Sequence, residues 1–127
     1  MAAIFISHSN ADNAVVADLA RVLQQRGFLS LFLDFDPEKG IPGGRNWEQE
    51  LYHQLRNCQA VIVLCSADAM TSDWVFAEIT HARALGKPVI PVRISPCTPR
   101  SILQDVQVID LEAEEDSGYT RLWRALG

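Results

Sequence analysis

The 127-residue chain is poor in most of what dedicated sites and special compartments require. It has only three cysteines, Cys58, Cys65 and Cys97, an odd number that argues against a disulfide framework and for free, buried thiols in a reducing compartment. Its three histidines, His8, His53 and His81, share no metal-ligand spacing with one another or with the cysteines, so no structural metal is expected. No apolar run approaches the ~20 residues needed to span a bilayer. The apolar start, Met1 through Ile6, lacks the basic leader and the length of a signal peptide. These absences predict a cytoplasmic protein without a membrane partner. Basic residues are also scarce, 11 against 16 acidic ones, for a net charge of -5. With no basic stripe to follow a phosphate backbone, nucleic acid is not expected as a direct partner.

What is present fits one folded domain. Hydrophobic residues make up 48% of the chain and charged residues 21%, an ordinary balance for a soluble globular protein. A chain of this size buries roughly two thirds of the surface exposed when unfolded, so one core suffices. Much of the acidic excess lies in Glu112, Glu114, Glu115 and Asp116, which read as a solvated loop or a helix-entry signal. There is no internal repeat and no low-complexity linker.

Strand and helix periods alternate from end to end, which predicts βα units around a parallel sheet. Ala3–Ser7 reads as the first strand. Asn10 or Asp12 is placed to cap the following helix, in which Val15, Val16, Leu19, Val22 and Leu23 recur at helical spacing before Gly27 ends it. Residues 29–33 are apolar at nearly every position, as a strand covered on both faces would be. Residues 34–44 hold two prolines and three glycines in eleven positions and must form a long loop, a length often associated with function. Trp47, Leu51 and Leu55 then mark a second helix. Ala60–Cys65 is the third strand, 72–85 the third helix, and 88–94 a fourth strand in which Pro91 predicts missing ladder bonds. A fifth strand is expected over 106–111 and a last helix over 119–126.

Five strands with right-handed crossovers point to an α/β, flavodoxin-like parallel sheet of order 2-1-3-4-5 with helices on both faces. In that order the ligand crevice opens between strands one and three. Its loops would carry Ser7, His8 and Ser9 on one side and residues 66–74 on the other, with the long second loop folding over the same end. Trp74 and Glu78 lie four apart, on one helix face, immediately beyond the third strand. Other uses of such a sheet lack their residues. A phosphoacceptor site wants acids after strand one and an aspartate ending strand three, where this chain has Ser7, His8, Cys65 and Ser66. A flavin phosphate loop wants glycine between Ser7 and Asp12, and Gly43-Gly44 lacks the Gly-Lys-Ser/Thr ending of a P-loop.

Four segments in order carry a resemblance. Phe5-Ile6-Ser7-His8-Ser9-Asn10-Ala11-Asp12, Gly40-Ile41-Pro42-Gly43 with Trp47 downstream, Trp74 through Glu78, and Gly86-Lys87-Pro88-Val89-Ile90-Pro91-Val92 together resemble a bacterial Toll/interleukin-1 receptor (TIR) domain of the NAD-cleaving type, over nearly the whole chain. Val75 stands where many relatives have cysteine, a change expected to concern packing. The resemblance implies that residues 1–127 form a single TIR domain, excised from a longer polypeptide that carries a sensor domain. It implies an NAD glycohydrolase or cyclase in bacterial anti-phage immunity, activated by assembly with other TIR domains, with NAD as substrate and no separate cofactor.

The resemblance assigns the catalytic carboxylate to Glu78. Cleaving an N-glycosidic bond to an already cationic leaving group needs little acid assistance, so a carboxylate that stabilises the developing oxocarbenium charge is the central requirement. The indole of Trp74 offers a stacking face. His8, Ser9, Asp36, Arg45 and Trp47 complete the expected substrate-binding set. Several of these and neighbouring residues have a plainer alternative. Glu78 fits a solvated helix position, Trp47 in register with Leu51 and Leu55 fits a core stripe, His8 can pack or cap, and Asp12 reads as an N-cap. A second function for the whole domain is a non-catalytic module for TIR–TIR signalling contacts.

Overall fold

The structure, a computed structural model, describes residues 3–28, 30–33, 53–95, 97, 108–111 and 115–126. The elements run β1 (Ala3–Ser7), a single 3-10 turn (Asn10–Asp12), α1 (Asn13–Gln25), β2 (Ser30–Leu33), α2 (53–57), β3 (Ala60–Cys65), α3 (Ala67–Met70), α4 (Asp73–Ala84), β4 (Val89–Arg93), β5 (Ile109–Asp110) and α5 (Glu115–Leu126). Among the described residues the sheet has five parallel strands in the order β2-β1-β3-β4-β5, as the alternating pattern predicts.

The two-residue period of a strand sorts its side chains into two cores. Phe5, Val61, Val63 and Cys65 face one layer, where Leu55 of α2, Ala69 and Met70 of α3, and Val75, Ile79 and Ala82 of α4 pack against them. Ile4, Ile6, Ile62, Leu64, Ile90 and Val92 face the other, against Val16, Leu19 and Leu23 of α1 and Leu122 of α5. Every residue of β3 is buried, which explains its unbroken apolar run. Each fully buried Val, Leu or Ile contributes roughly 1.5–3 kcal/mol of burial free energy, so this central strand is the chief anchor of the fold.

Several local expectations are corrected. Val15 is 40% exposed, because the inward stripe of α1 is centred on Val16, Leu19, Ala20 and Leu23. Asp12 occupies the N-cap position of α1 but makes no side-chain cap; its carboxylate is engaged elsewhere. Residues 67–70, expected to be loop, form a one-turn helix because Ser66 caps it, its Oγ accepting from the Ala69 N–H at 3.1 Å. The last helix begins at Glu115 rather than Tyr119. Gly118 is then helical. A Cβ there would lie 2.6 Å from Leu111 Cδ2 and 2.7 Å from the Asp110 carbonyl oxygen, so glycine lets α5 sit against the end of β5.

Other boundaries match closely. Ser72 caps α4 by accepting from the Val75 N–H at 3.2 Å, and Gly86, at φ 72°, takes the left-handed conformation after its C-terminus. Gly27 does the same after α1 at φ 104°. Pro91 pairs with Val63, and the described rungs to β5 begin one residue later, at Val92. Val75 is fully buried among the α4-side core residues, in keeping with a packing role. Arg26 and Phe28, beyond α1, meet Trp123 of α5, with Arg26 Cζ 5.3 Å from the indole centroid and the Phe28 ring stacked at 6.1 Å. Among the described residues, no helix is long and apolar enough to cross a membrane.

Candidate active site

Strand order reverses direction between β1 and β3, so the connections leaving their C-terminal ends part on opposite sides, the arrangement at which open α/β sheets keep their ligand crevices. Ser7 is the last residue of β1. It has the parity of Phe5 and therefore faces the α4 layer. On α4, Val75, Ile79 and Ala82 form the inward stripe, and Glu78 lies within it. A carboxylate thus occupies a position that helical spacing reserves for apolar side chains.

Glu78 and Ser7 are both 0% exposed, and Ser7 Oγ donates a 2.6 Å hydrogen bond to Glu78 Oε1. This short bond spans 71 residues of sequence. Burying a carboxylate is costly unless hydrogen bonds replace its lost water, so the hydroxyl is part of what makes Glu78 tolerable inside the fold. The solvated alternative for Glu78 is excluded by its burial. A buried acid beside the switch-point crevice is the kind of group that functional sites retain.

His8 and Ser9 leave β1 at the same rim. His8 is 2% exposed, with Nδ1 3.0 Å from the Ser9 carbonyl oxygen, the geometry of a ring N–H donating to that oxygen. Ser9 shapes the turn: its Oγ accepts from the Ala11 N–H at 3.2 Å and its carbonyl from the Asp12 N–H at 2.9 Å. The opposite loop is tied to this one by Ser66, whose Oγ donates to the Asp12 carboxylate at 2.5 Å. Trp74 lies in α4 one turn before Glu78, but its side chain is outside the described residues, as are Asp36, Arg45 and Trp47 altogether. The structure therefore gathers Glu78, His8 and Ser9 at one rim.

Ser7, which the sequence places at the crevice end of the first strand, is absent from the expected catalytic and substrate-binding set. The signal was available: it follows Phe5 by two positions, ends the strand, and is the polar member of an otherwise apolar face. The other strand ends of that face are Cys65, Arg93 and Asp110. Arg93 Nη1 approaches Asp110 Oδ2 at 3.9 Å, a loose, half-exposed ion pair. Cys65 is no nucleophile. Burial pushes its thiol up to about 12, the neighbouring Cys97 adds to the rise, and the Val92 backbone and Arg93 only partly oppose it. All three cysteines are free. Among the described residues, no three His, Cys, Asp or Glu side chains are grouped to hold a metal ion.

This geometry defines an α/β protein with a buried acid at its switch-point rim. The profile of the TIR domain family matches residues 4–123, and the chain belongs to that family. Among solved structures, it is similar to the TIR domain of the Toll-related receptor TRR-2 from Hydra magnipapillata, at 18% identity over 95% of this chain and 94% of that one, with a TM-score of 0.77. It is also similar to the TIR domains of the activated Roq1 resistosome that directly recognizes the pathogen effector XopQ, at 16% identity over the full length of both chains and a TM-score of 0.70. A third likeness is to the CMP N-glycosidase BcmB of Clostridium botulinum, at 16% identity over 94% and 97% of the two chains and a TM-score of 0.64. At these identities the likenesses establish the fold. No curated protein sequence matches the chain.

Proposed function

We propose that this TIR domain cleaves the nicotinamide–ribose bond of NAD, with Glu78 as the carboxylate that stabilises the ribosyl cation. The observation that carries the reading is the burial of Glu78 on the inward stripe of α4, beside the end of β1. The fold supports it, since the same architecture serves the CMP N-glycosidase, an enzyme named for cleaving an N-glycosidic bond.

The bond between the nicotinamide nitrogen and ribose C1′ breaks with its electron pair passing to nitrogen, so the leaving group departs neutral. The ribose left behind carries oxocarbenium charge, which an ionised carboxylate in a dry pocket stabilises strongly. Water adding at C1′ and releasing a proton gives ADP-ribose. A nucleophile within the same molecule gives a cyclic product. Trp74 is the proposed stacking surface. His8 and Ser9, together with Asp36, Arg45 and Trp47, are the proposed contacts to ribose, phosphate and nicotinamide.

Glu78 has no accessible surface in a single chain, so substrate reaches it only after the surrounding residues rearrange. Contact between TIR domains is the proposed trigger for that change, with a sensor domain in a longer polypeptide bringing the copies together. An immune role is proposed with it, supported by the likeness to the resistosome TIR domains. The test is chromatographic detection of nicotinamide, ADP-ribose and cyclic products after incubating concentrated protein with NAD. Release by wild type and its loss in Glu78→Ala is expected. Unchanged release by Glu78→Ala refutes the mechanism, and no release by assembled wild type leaves a binding module.

A further inference from the structure

We infer that Ser7 is the positioning residue of Glu78, holding the carboxylate in its reactive placement by the bond from Ser7 Oγ to Oε1. The inference rests on the reading of Glu78 above and adds a residue to it. Glutamate has three side-chain torsions, and fixing them costs conformational entropy that must be offset by specific contacts. The side chain is fully buried on the helix face that also carries the core residues Val75, Ile79 and Ala82. Apolar packing restrains the aliphatic stem but is indifferent to the orientation of the carboxylate plane. Only a directional contact selects that orientation, and the 2.6 Å bond from Ser7 is one.

The donor is itself rigidly placed. Ser7 is the last residue of β1, its backbone lies in the sheet with Val63 of β3 as its register partner, and its side chain is fully buried. A hydroxyl on a central strand is a more exact support than one on a loop. It also suits the proposed chemistry. As a donor to Oε1, Ser7 is bonded to an acceptor lone pair, the arrangement that an ionised carboxylate offers. Held in this way, the carboxylate keeps its placement as positive charge develops at the sugar, so little reorganisation is needed during the reaction.

The experiment combines kinetics with a stability cycle. In assembled, full-length protein, Ser7→Ala is expected to lower kcat for nicotinamide release about tenfold or more while KM for NAD stays within about twofold, because placement of the acid rather than substrate contact is lost. Ser7→Thr, which keeps the hydroxyl, is expected to recover most of kcat. Equal kcat for Ser7→Ala and wild type overturns the inference and leaves Glu78 catalysis standing. The second measurement needs no activity. The shift in denaturation midpoint caused by Ser7→Ala is measured in wild type and in a Glu78→Met background, and it is expected to be clearly smaller in the latter. Equal shifts show that Ser7 does not act through Glu78 and overturn the inference, even if wild type proves unable to cleave NAD.

Discussion

The Ser66 hydroxyl serves two loops at once. It donates to the Asp12 carboxylate at 2.5 Å and accepts from the Ala69 N–H at 3.1 Å, so the turn after β1 and the start of α3 are joined across the crevice. Ser66→Ala removes both bonds and is expected to lower stability by about 2–5 kcal/mol, a helix cap and a charge-assisted hydrogen bond together. Asp12→Asn keeps an acceptor and is expected to cost less. Denaturant unfolding of the two variants checks the order, and equal losses contradict it.

Glu78→Gln and Glu78→Ala are expected to separate catalysis from folding. The amide of glutamine can still accept from Ser7 and fills the same volume, so its thermal midpoint stays near that of wild type. Its nicotinamide release falls at least about 100-fold, the usual scale for losing a charge aimed at the transition state. Glu78→Ala loses activity as well, and it leaves a cavity beside Ile79 and Ala82, so it melts lower. A glutamine variant with wild-type activity would remove the need for charge at this position.

Specific activity is expected to depend on concentration. The carboxylate has no accessible surface in a single chain, and rearrangement by assembly is the proposed route to it. Dilute monomer should be nearly inactive, with specific NAD cleavage rising as the protein associates. Activity assays paired with light scattering over a dilution series decide this. A constant specific rate across the series rules out activation by assembly.

Two glycine replacements are expected to differ in cause. At Gly118, alanine brings Cβ to 2.6 Å from Leu111 Cδ2 and 2.7 Å from a backbone oxygen that cannot yield cheaply, so α5 must shift. A loss of about 1–3 kcal/mol follows from overpacking. At Gly27 nothing lies within 4 Å, and the cost comes only from φ 104°, about 1 kcal/mol of backbone strain. Urea unfolding of both variants gives the comparison, and Gly118→Ala should be the worse.

Stability should fall in alkali through Cys65. Its thiol has an ordinary value of 9.0, and burial raises it to about 12 in the folded chain. Below the unfolded value both states hold the proton and the contribution is intact. Between that value and about 12 only the unfolded chain ionises, so it binds fewer protons and stability declines as pH rises, by about 1.4 kcal/mol per pH unit for one group. Cys65→Ala should weaken this dependence between pH 9.0 and about pH 12. An identical slope in both proteins assigns the decline to other groups.

Much of this fold was legible because it is written in short-range periods. The runs Ala3–Ser7 and Ala60–Cys65 coincide with β1 and β3, and Ser72 and Gly86 bracket α4 as capping chemistry requires. The spacing of Glu78 beyond β3 also marked it as a residue near the crevice. The misread segments are those in which packing overrides a local signal. Four residues of α3 are too few to show a helical period, and the last helix extends N-terminal of Tyr119 through Gly118, where only a residue without Cβ clears Leu111 and the Asp110 carbonyl. Asp12 carries a capping residue type, yet its carboxylate turns toward Ser66.

The chain by itself determined the alternation of strands and helices, the parallel sheet, and the helix on which the acid lies, because two-residue and 3.6-residue periods are properties of a local backbone. Tertiary structure alone decided that Glu78 is fully buried and that its partner is Ser7, 71 positions earlier. No local pattern encodes that meeting. It depends on the β2-β1-β3 strand order laying α4 across the end of β1, where a strand hydroxyl and a helix carboxylate come within hydrogen-bonding distance.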